Sequence, residues 1–380
     1  MDFSLDEELT LVRDMAREFA ENELVPRAAR HDRQESIDPE VFQMMGELGF
    51  WGLTVPAEYG GAGMSNVALC LVLFEINRAC AATGTTLSVH NSLGCIPVLR
   101  HGTTAQKAYW LPKLAAGEAI AAYCLTEPNA GSDAAAITTS AVKDGDEWVL
   151  NGRKTFVSSG AIAGMYIVYA RTDPRAKKSR GISAFLLSPA TPGLSVGKHE
   201  KKTGLRGSST TDVVLEDARA PATSILGKPN EGFHLAMETL DGGRVGIAAQ
   251  AIGIGQACLE AAIKYSRERE QFGQPIGNFQ AIQWKLADMA TRLEGARLTT
   301  LKAAWLRDRG EPCTLVAAEA KLAASTTANY CADECLQIHG GAGYTDEFPV
   351  ERLFRDARIT EIYEGATDIQ RLVIARTLLQ

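Results

Sequence analysis

The chain has 380 residues, 46% of them hydrophobic and 22% charged, with a formal net charge of −7. That length is more than one core usually organises, so two or three domains are expected, and the composition is that of an ordinary globular protein. The acidic balance disfavours general nucleic-acid binding, no RNA- or DNA-binding motif is present, and the longest apolar run, residues 67–74, is far too short to cross a bilayer. The chain opens on Asp2, Asp6, Glu7 and Glu8 in place of a basic region and an apolar core. No export signal is therefore expected, and the protein reads as cytoplasmic, with the mature form of a mitochondrial-matrix protein as the other possibility. Eight cysteines, scattered as singles except Cys331 and Cys335 four apart, read as small buried residues of a reducing compartment.

Ser4 and Glu7 have capping-box spacing, and Leu5, Leu9, Val12, Ala16 and Phe19 form one stripe, which predicts a first helix with one face on a core. Asp38-Pro39 opens a second helix that stops near Gly46 to Gly49. Further helices over about 66–82, 87–100 and 105–116 complete an all-helical domain, residues 1–118. From Ala119 the pattern changes to short strands. Glu147-Trp148-Val149-Leu150 and Lys154-Thr155-Phe156-Val157 flank Asn151-Gly152, which predicts a hairpin with a type I′ turn. With strands at 165–170, 182–187, 194–197 and 212–215, residues 119–228 form a small antiparallel sandwich or barrel. After Gly232 the chain returns to helix: about 234–268, then the seam Phe279, Ile282, Leu286, Met289 and Leu293, then about 314–338 and 367–379. The expected fold is α+β and multidomain, closing on a four-helix bundle over residues 229–380.

Gly253-Ile254-Gly255 superficially matches a dinucleotide glycine motif, but it lies inside a helix and follows no strand. No P-loop, HExxH or GxSxG occurs, and the six histidines lack metal-ligand spacing, so no metal is expected. Two segments carry more chemistry. In Tyr123-Cys124-Leu125-Thr126-Glu127-Pro128-Asn129-Ala130-Gly131-Ser132-Asp133 a strand end meets a turn rich in donors, suited to a polar ring edge or a pyrophosphate. In Gln337-Ile338-His339-Gly340-Gly341-Ala342-Gly343-Tyr344 a helix end dissolves into glycines that let backbone approach a ligand. Read alone, each is also a tight turn with a helix cap. Near the end, Tyr363-Glu364-Gly365 places a carboxylate at a turn beside apolar Ile362 and Tyr363, which would desolvate it towards the pKa of a general base.

The order helical domain, β domain, helical bundle, with Cys124-Leu125-Thr126-Glu127 through Gly131-Ser132-Asp133, Gln337 through Tyr344 with Glu347, Arg352 and Asp356, and Tyr363-Glu364-Gly365, resembles the acyl-CoA dehydrogenase family of flavoproteins along essentially the whole chain. The stretch from Arg355 to Ala375 is most similar to short-chain and short-branched-chain members. The resemblance implies FAD, with residues 123–132 (Tyr123, Leu125, Thr126, Gly131 and Ser132 among them) and Phe156, Val157 and Ser158 lining the flavin, and Thr126 and Ser158 bonding to it. It implies that Arg269, Phe272 and Gln280, followed by Gln337, Gly340 and Gly341, reach the FAD of a neighbouring subunit, in a homotetramer built as a dimer of dimers, and that Ala366 and Asp368 lie near the cofactor. Ser132, Asp241, Arg244, Tyr363 and Gly365 fall where members contact acyl-CoA, and Glu364 falls on the base. Some members carry the base immediately before the matched arginine; here that position is Gly243.

The implied reaction is α,β-dehydrogenation of an acyl-CoA to the trans-2-enoyl-CoA. Glu364 takes the α-proton, the β-hydrogen leaves as hydride to the flavin, and electrons pass to an electron-transferring flavoprotein. The alternatives are an oxidase returning electrons to oxygen, a flavin monooxygenase or nitroalkane-oxidising relative, against which the intact Tyr363-Glu364-Gly365 argues, and, from another class, a non-catalytic helical-bundle scaffold. Phe156 and Ala366 depart from the more usual tryptophan and threonine. Gln250 and Thr360 match residues that close the acyl pocket in short-chain members, so acyl groups of about four to six carbons, linear or branched, are expected because each excess methylene would meet a polar floor.

Overall fold

The computed structural model describes residues 4–177 and 179–380; Asp2, first of the N-terminal acidic residues, lies outside them. Helix α1 (Glu7–Phe19) is capped by Asp6, whose carboxylate accepts from the Leu9 N–H at 2.8 Å. The cap is thus not the box expected of Ser4 and Glu7: Asp6 stands directly before the first helical residue, where a carboxylate reaches the third amide and meets the positive end of the helix dipole. Val12, Ala16 and Phe19 are buried, with Leu5 and Leu9 packed on the same core. A π-helical turn (Ala20–Leu24) runs into α2 (Val25–Gln34), a polar helix with only Ala28 and His31 buried, which apolar spacing does not announce. Then come α3 (Pro39–Glu47), the almost wholly buried α4 (Asn66–Ala79), α5 (Ala81–Val89), a π-helical segment (His90–Cys95), α6 (Ile96–His101) and α7 (Thr104–Ala115).

The β domain holds β1 (Ile120–Cys124), β2 (Ser140–Asp144), β3 (Glu147–Ser158), β4 (Ala163–Arg171), β5 (Ile182–Leu187), β6 (Leu194–His199), β7 (Thr210–Pro221) and β8 (Ile225–Leu226). Their order is β6-β7-β3-β2-β4-β5-β8, with β1 also on β4; pairs are antiparallel except β1 and β2 on β4, which are parallel. The expected Asn151-Gly152 hairpin does not form. Both residues lie inside the unbroken β3, and the true hairpin joins β2 to β3 across Gly145-Asp146, with Asp144 opposite Glu147 and Gly145 at φ 59°. A type I′ turn needs two residues at positive φ, and Asn151 is not one. Its side chain is tied instead to Asp217 of β7 by bonds of 3.0 and 2.8 Å, and the β3–β7 register slips between Leu150 and Gly152. Asn-Gly marks a bulge here.

The last third contains α8 (Gly232–Glu268), a short hairpin of β9 (Glu270–Gln271) and β10 (Gln274–Pro275), α9 (Gln280–Asp308), α10 (Thr314–His339), a 3-10 turn (Gly340–Tyr344), α11 (Val350–Arg358) and α12 (Thr367–Leu378). The three long helices pack on one another, α11 and α12 lie on α10, and α4 of the first domain packs on α8 and α9, so the helical domains share a core. Gly253 lies at the α4 crossing: a Cβ there would come within 2.6 Å of Phe74 O and 2.7 Å of Asn77 Cβ, so the glycine motif serves helix contact. Helix α8 is long and apolar enough to cross a membrane by length and composition, but 72% of that window is buried within the molecule, as in a core helix.

Candidate active site

Glu364 sits between the 3-10 turn Ile359–Glu361 and α12, in the left-handed region at φ 49°, and Gly365 follows at φ 95°. The left-handed region is costly for a residue with a Cβ, so the turn must be held from outside. Two donors hold it by the Gly365 carbonyl: Lys321 Nζ of α10 at 2.7 Å and Gln370 Nε2 of α12 at 2.8 Å. The carboxylate is thereby laid against α8 at Gly243. A Cβ on Gly243 would collide with Glu364 Oε2, and Leu93 Cδ2 would be 2.9 Å away. The absence of a side chain at Gly243 thus leaves on α8 the room that the Glu364 carboxylate occupies.

Both oxygens of Glu364 are shielded from solvent and have no hydrogen-bond partner, although the residue as a whole is half-buried. Burial raises its pKa from the ordinary 4.5 to about 7, against the opposing charges of Lys321 and Arg244. A carboxylate that titrates near neutrality and is not hydrogen-bonded is equipped to take a proton from a substrate.

Around it, Arg244 is buried and gives Nη1 to Asp241 at 2.5 Å while its Nε is unsatisfied, and Asp241 also accepts from Thr314 at 2.6 Å. The Tyr363 hydroxyl donates to Gln250 Oε1, and the Gln250 amide donates to Thr85 Oγ1 at 2.5 Å and to Ala81 O at 3.3 Å. Gln250 therefore joins α5 to the residue beside Glu364. Thr360 is buried, but its hydroxyl donates to Ala357 O at 2.7 Å, within its own turn.

On the β side, the β3 register slips again between Lys154 and Val157, and Phe156, at φ 55°, is pushed out of the sheet to 67% exposure. A bulge that re-aims one side chain commonly borders a site. The Thr155 N–H donates to Thr126 O at 2.9 Å, which places the loop after β1 along this edge. Thr126 and Ser158 are half-buried there, with no protein partner for either hydroxyl among the described residues. Leu125 and Val157 turn their side chains into the core, leaving backbone groups for a ligand, while Gly131 and Ser132 are exposed. The Tyr123 hydroxyl on β1 donates to Ala236 O at 3.5 Å, so the strand that leads into this loop packs on α8, the helix that carries Gly243. A projecting ring, two free hydroxyls and a bare carboxylate fit the flat, polar-edged flavin of FAD.

Arg269, Phe272, Gln280, Gln337, Gly340 and Gly341 do not join this cluster. They are exposed at the opposite end of the bundle, where α8 ends, α9 begins and α10 ends, and Phe272 is 93% exposed. At 1.5 Å per residue Arg269 lies roughly 39 Å along α8 from Gly243, beyond the reach of a cofactor seated at Glu364 of the same chain. Ala366 forms the N-cap of α12 without a capping side chain, and Asp368 is exposed and paired with Arg371.

Sequence reasoning missed two buried lysines. Lys321 interrupts the buried spacing of Ala317, Ala320, Ala324 and Ala328, an anomaly that periodicity could have exposed. Lys154 pairs at 2.7 Å with Glu127, which also accepts from Thr138 and Thr139, and so clamps the Thr126 loop to β3; only the tertiary structure brings them together. Among the described residues no group of three or more His, Cys, Asp or Glu is placed to hold a metal.

A helical domain, a β domain and a helical bundle meeting at a desolvated carboxylate define a class of flavin-dependent oxidoreductases. Residues 6–118, 122–218 and 230–379 match the N-terminal, middle and C-terminal domains of acyl-CoA dehydrogenase. The chain is 49% identical over 376 residues to the short-chain specific acyl-CoA dehydrogenase, mitochondrial, of Mus musculus, covering 99% of this chain and 91% of that one. Among solved structures, butyryl-CoA dehydrogenase from Megasphaera elsdenii superposes with a TM-score of 0.98 at 42% identity over 100% of both chains. A chain from work on the electron transferring flavoprotein of Acidaminococcus fermentans does so with a TM-score of 0.98 at 45% identity, again over 100% of both. The protein belongs to the acyl-CoA dehydrogenase family, and it is an FAD-dependent oxidoreductase.

Proposed function

We propose that the chain oxidises a short-chain acyl-CoA to the trans-2-enoyl-CoA and passes the electrons to an electron-transferring flavoprotein, with Glu364 as the base. The observation that carries this reading is the unpartnered, shielded carboxylate of Glu364 laid on Gly243. Its rise to about pKa 7 lets it hold the α-proton that leaves as the double bond forms. When bound, FAD supplies the two-electron acceptor for the β-hydrogen. Thr126 and Ser158 would hold its ring by their free hydroxyls and Phe156 would pack beside it, while Arg244 and Asp241 lie where the acyl-CoA enters. The Glu364 backbone N–H is offered to the thioester oxygen, where preorganised donors act most strongly on developing charge.

The short-chain preference is supported by the short-chain specific mouse relative and the butyryl-CoA dehydrogenase of Megasphaera, and by Gln250, whose amide is fully engaged between Tyr363 and α5 and would be torn from its partners by a longer tail. Thr360 supports it less, because its hydroxyl already bonds its own turn. A homotetramer, in which the exposed Arg269 end of one bundle serves another protomer's cofactor, completes the reading. So does a cytoplasmic or mitochondrial-matrix location. The test is anaerobic bleaching of the bound flavin by butanoyl- to dodecanoyl-CoA. The rate is expected to peak at about four to six carbons. An optimum at eight or more would overturn the short-chain assignment, and rapid reoxidation by oxygen in the presence of product would favour an oxidase.

A further inference from the structure

The base is not the only bare charge at the site. The Lys321 side chain is fully buried and forms no ion pair among the described residues; its hydrogen bond goes to the carbonyl of Gly365, the residue after the base. Burial lowers its pKa to about 8, with Glu364 and Glu361 acting to raise it. The charged neighbours on every packed element are otherwise engaged. On α8, Asp241 is held by Arg244 and Thr314; on the turn that carries the base, Glu361 pairs with Arg358 and Tyr363 is bonded to Gln250; on β1, Tyr123 stays neutral because burial drives its pKa well up. Two unpaired charges of opposite sign, Lys321 and Glu364, are thus left on either side of one peptide. Leaving an ammonium buried without a carboxylate is costly, and a well-packed apolar residue would fill the same space more cheaply.

We propose that Lys321 is a positioning residue for Glu364: its ammonium holds the strained Glu364-Gly365 turn by the Gly365 carbonyl, and its positive charge, kept off the carboxylate itself, leaves that carboxylate ionised and free to take the proton. A direct salt bridge would use up the oxygens that must receive the proton. Bonding the neighbouring carbonyl supplies the field without occupying the base. The inference rests on Glu364 being the base.

The experiment follows flavin reduction by butanoyl-CoA in the holoenzyme from pH 5.5 to 9.5 in Lys321→Arg, Lys321→Gln, Lys321→Met and Glu364→Gln, with infrared titration of the carboxylic C=O band that Glu364→Gln removes. Lys321→Gln keeps a donor without the charge, so its acid limb and its infrared midpoint should both move up by about one pH unit, lowering the rate near pH 7 by roughly fivefold while the alkaline plateau survives. Lys321→Met should show the same shift and a lower plateau, since the turn also loses its donor. Lys321→Arg should restore the midpoint. If Lys321→Met does not accumulate as holoenzyme, the Arg and Gln pair still reads the charge effect. Rates that fall equally at every pH with an unmoved midpoint would reduce Lys321 to a structural role and overturn the inference. Near wild-type reduction in Glu364→Gln would instead overturn the base assignment, so the two failures are distinguishable.

Discussion

The geometry at Glu364 combines three features that rarely coincide in one residue: a left-handed backbone, a shielded side chain and no hydrogen-bond partner. Each costs stability. Because burial raises the folded-state pKa from 4.5 to about 7, the sign is that of a carboxyl preferring its proton when folded. The associated stability is full below pH 4.5 and is lost as pH rises through about 7, by at most about 3 kcal/mol. Glu364→Gln should therefore melt at a higher temperature than the parent at pH 8 and show little advantage at pH 4.5, which thermal scans of the apoprotein would measure. The same substitution should retain FAD while slowing flavin reduction by about 10²–10⁴-fold, the usual contribution of a positioned general base. Equal stability gains at both pH values would show that Glu364 is not desolvated as described.

At the scale of elements, the site depends on how loops are fastened to strands and helices. The Thr126 loop is fixed to β3 by the buried Lys154–Glu127 pair, in which burial opposes ionisation of Glu127 but the Lys154 charge and the Thr138 and Thr139 donors prevail and hold its pKa at about 2. That stabilisation is present above Glu127's ordinary 4.5 and is lost as pH falls through about 2. Removing one member of such a pair strands the other, so Lys154→Met should cost roughly 3 kcal/mol and loosen FAD, readable as a lower Tm and a larger cofactor Kd. Unchanged melting would mean that the threonine donors suffice. Helix α12, which follows Glu364, begins at Ala366 with φ −53° and ψ 155°, a cap conformation with no side chain to use it. Ala366→Ser should add about 1 kcal/mol by giving the helix an acceptor, seen as a rise in Tm.

The whole molecule separates two sets of residues that the family pattern assigns to the same cofactor. Thr126, Phe156 and Ser158 share the β3 edge of the β domain, whereas Arg269, Phe272 and Gln337 stand exposed where α8 and α10 end. In the proposed homotetramer such a division would be met by a neighbouring protomer bringing its far end to the first protomer's cofactor. Arg269→Ala should then weaken FAD retention through loss of a charge-assisted contact, without altering the secondary structure of the protomer. Gel filtration with absorbance at the flavin band would measure it, and a monomer that keeps full FAD would refute the shared site.

The sequence by itself determined the three-domain order, because the change from helical to strand periodicity near Ala119 and back near Gly232 is a local property of side-chain spacing. It also pointed to Glu364 and to the loop after β1, where resemblance supplied roles that spacing alone left open. What it misread was local geometry under tertiary control. Asn151-Gly152 satisfies a turn and a bulge equally well until β7 supplies Asp217 as a partner, and Ser4 yields its capping role to Asp6 once the first helical residue is fixed. Only the tertiary structure showed that Gly243 makes space for the Glu364 carboxylate, that Gln250 is tied to Tyr363, and that Lys321 reaches the Gly365 carbonyl from another helix. These contacts join residues 44 to 121 positions apart, and their energy comes from burial and desolvation at the meeting of helices, quantities that a one-dimensional pattern does not contain.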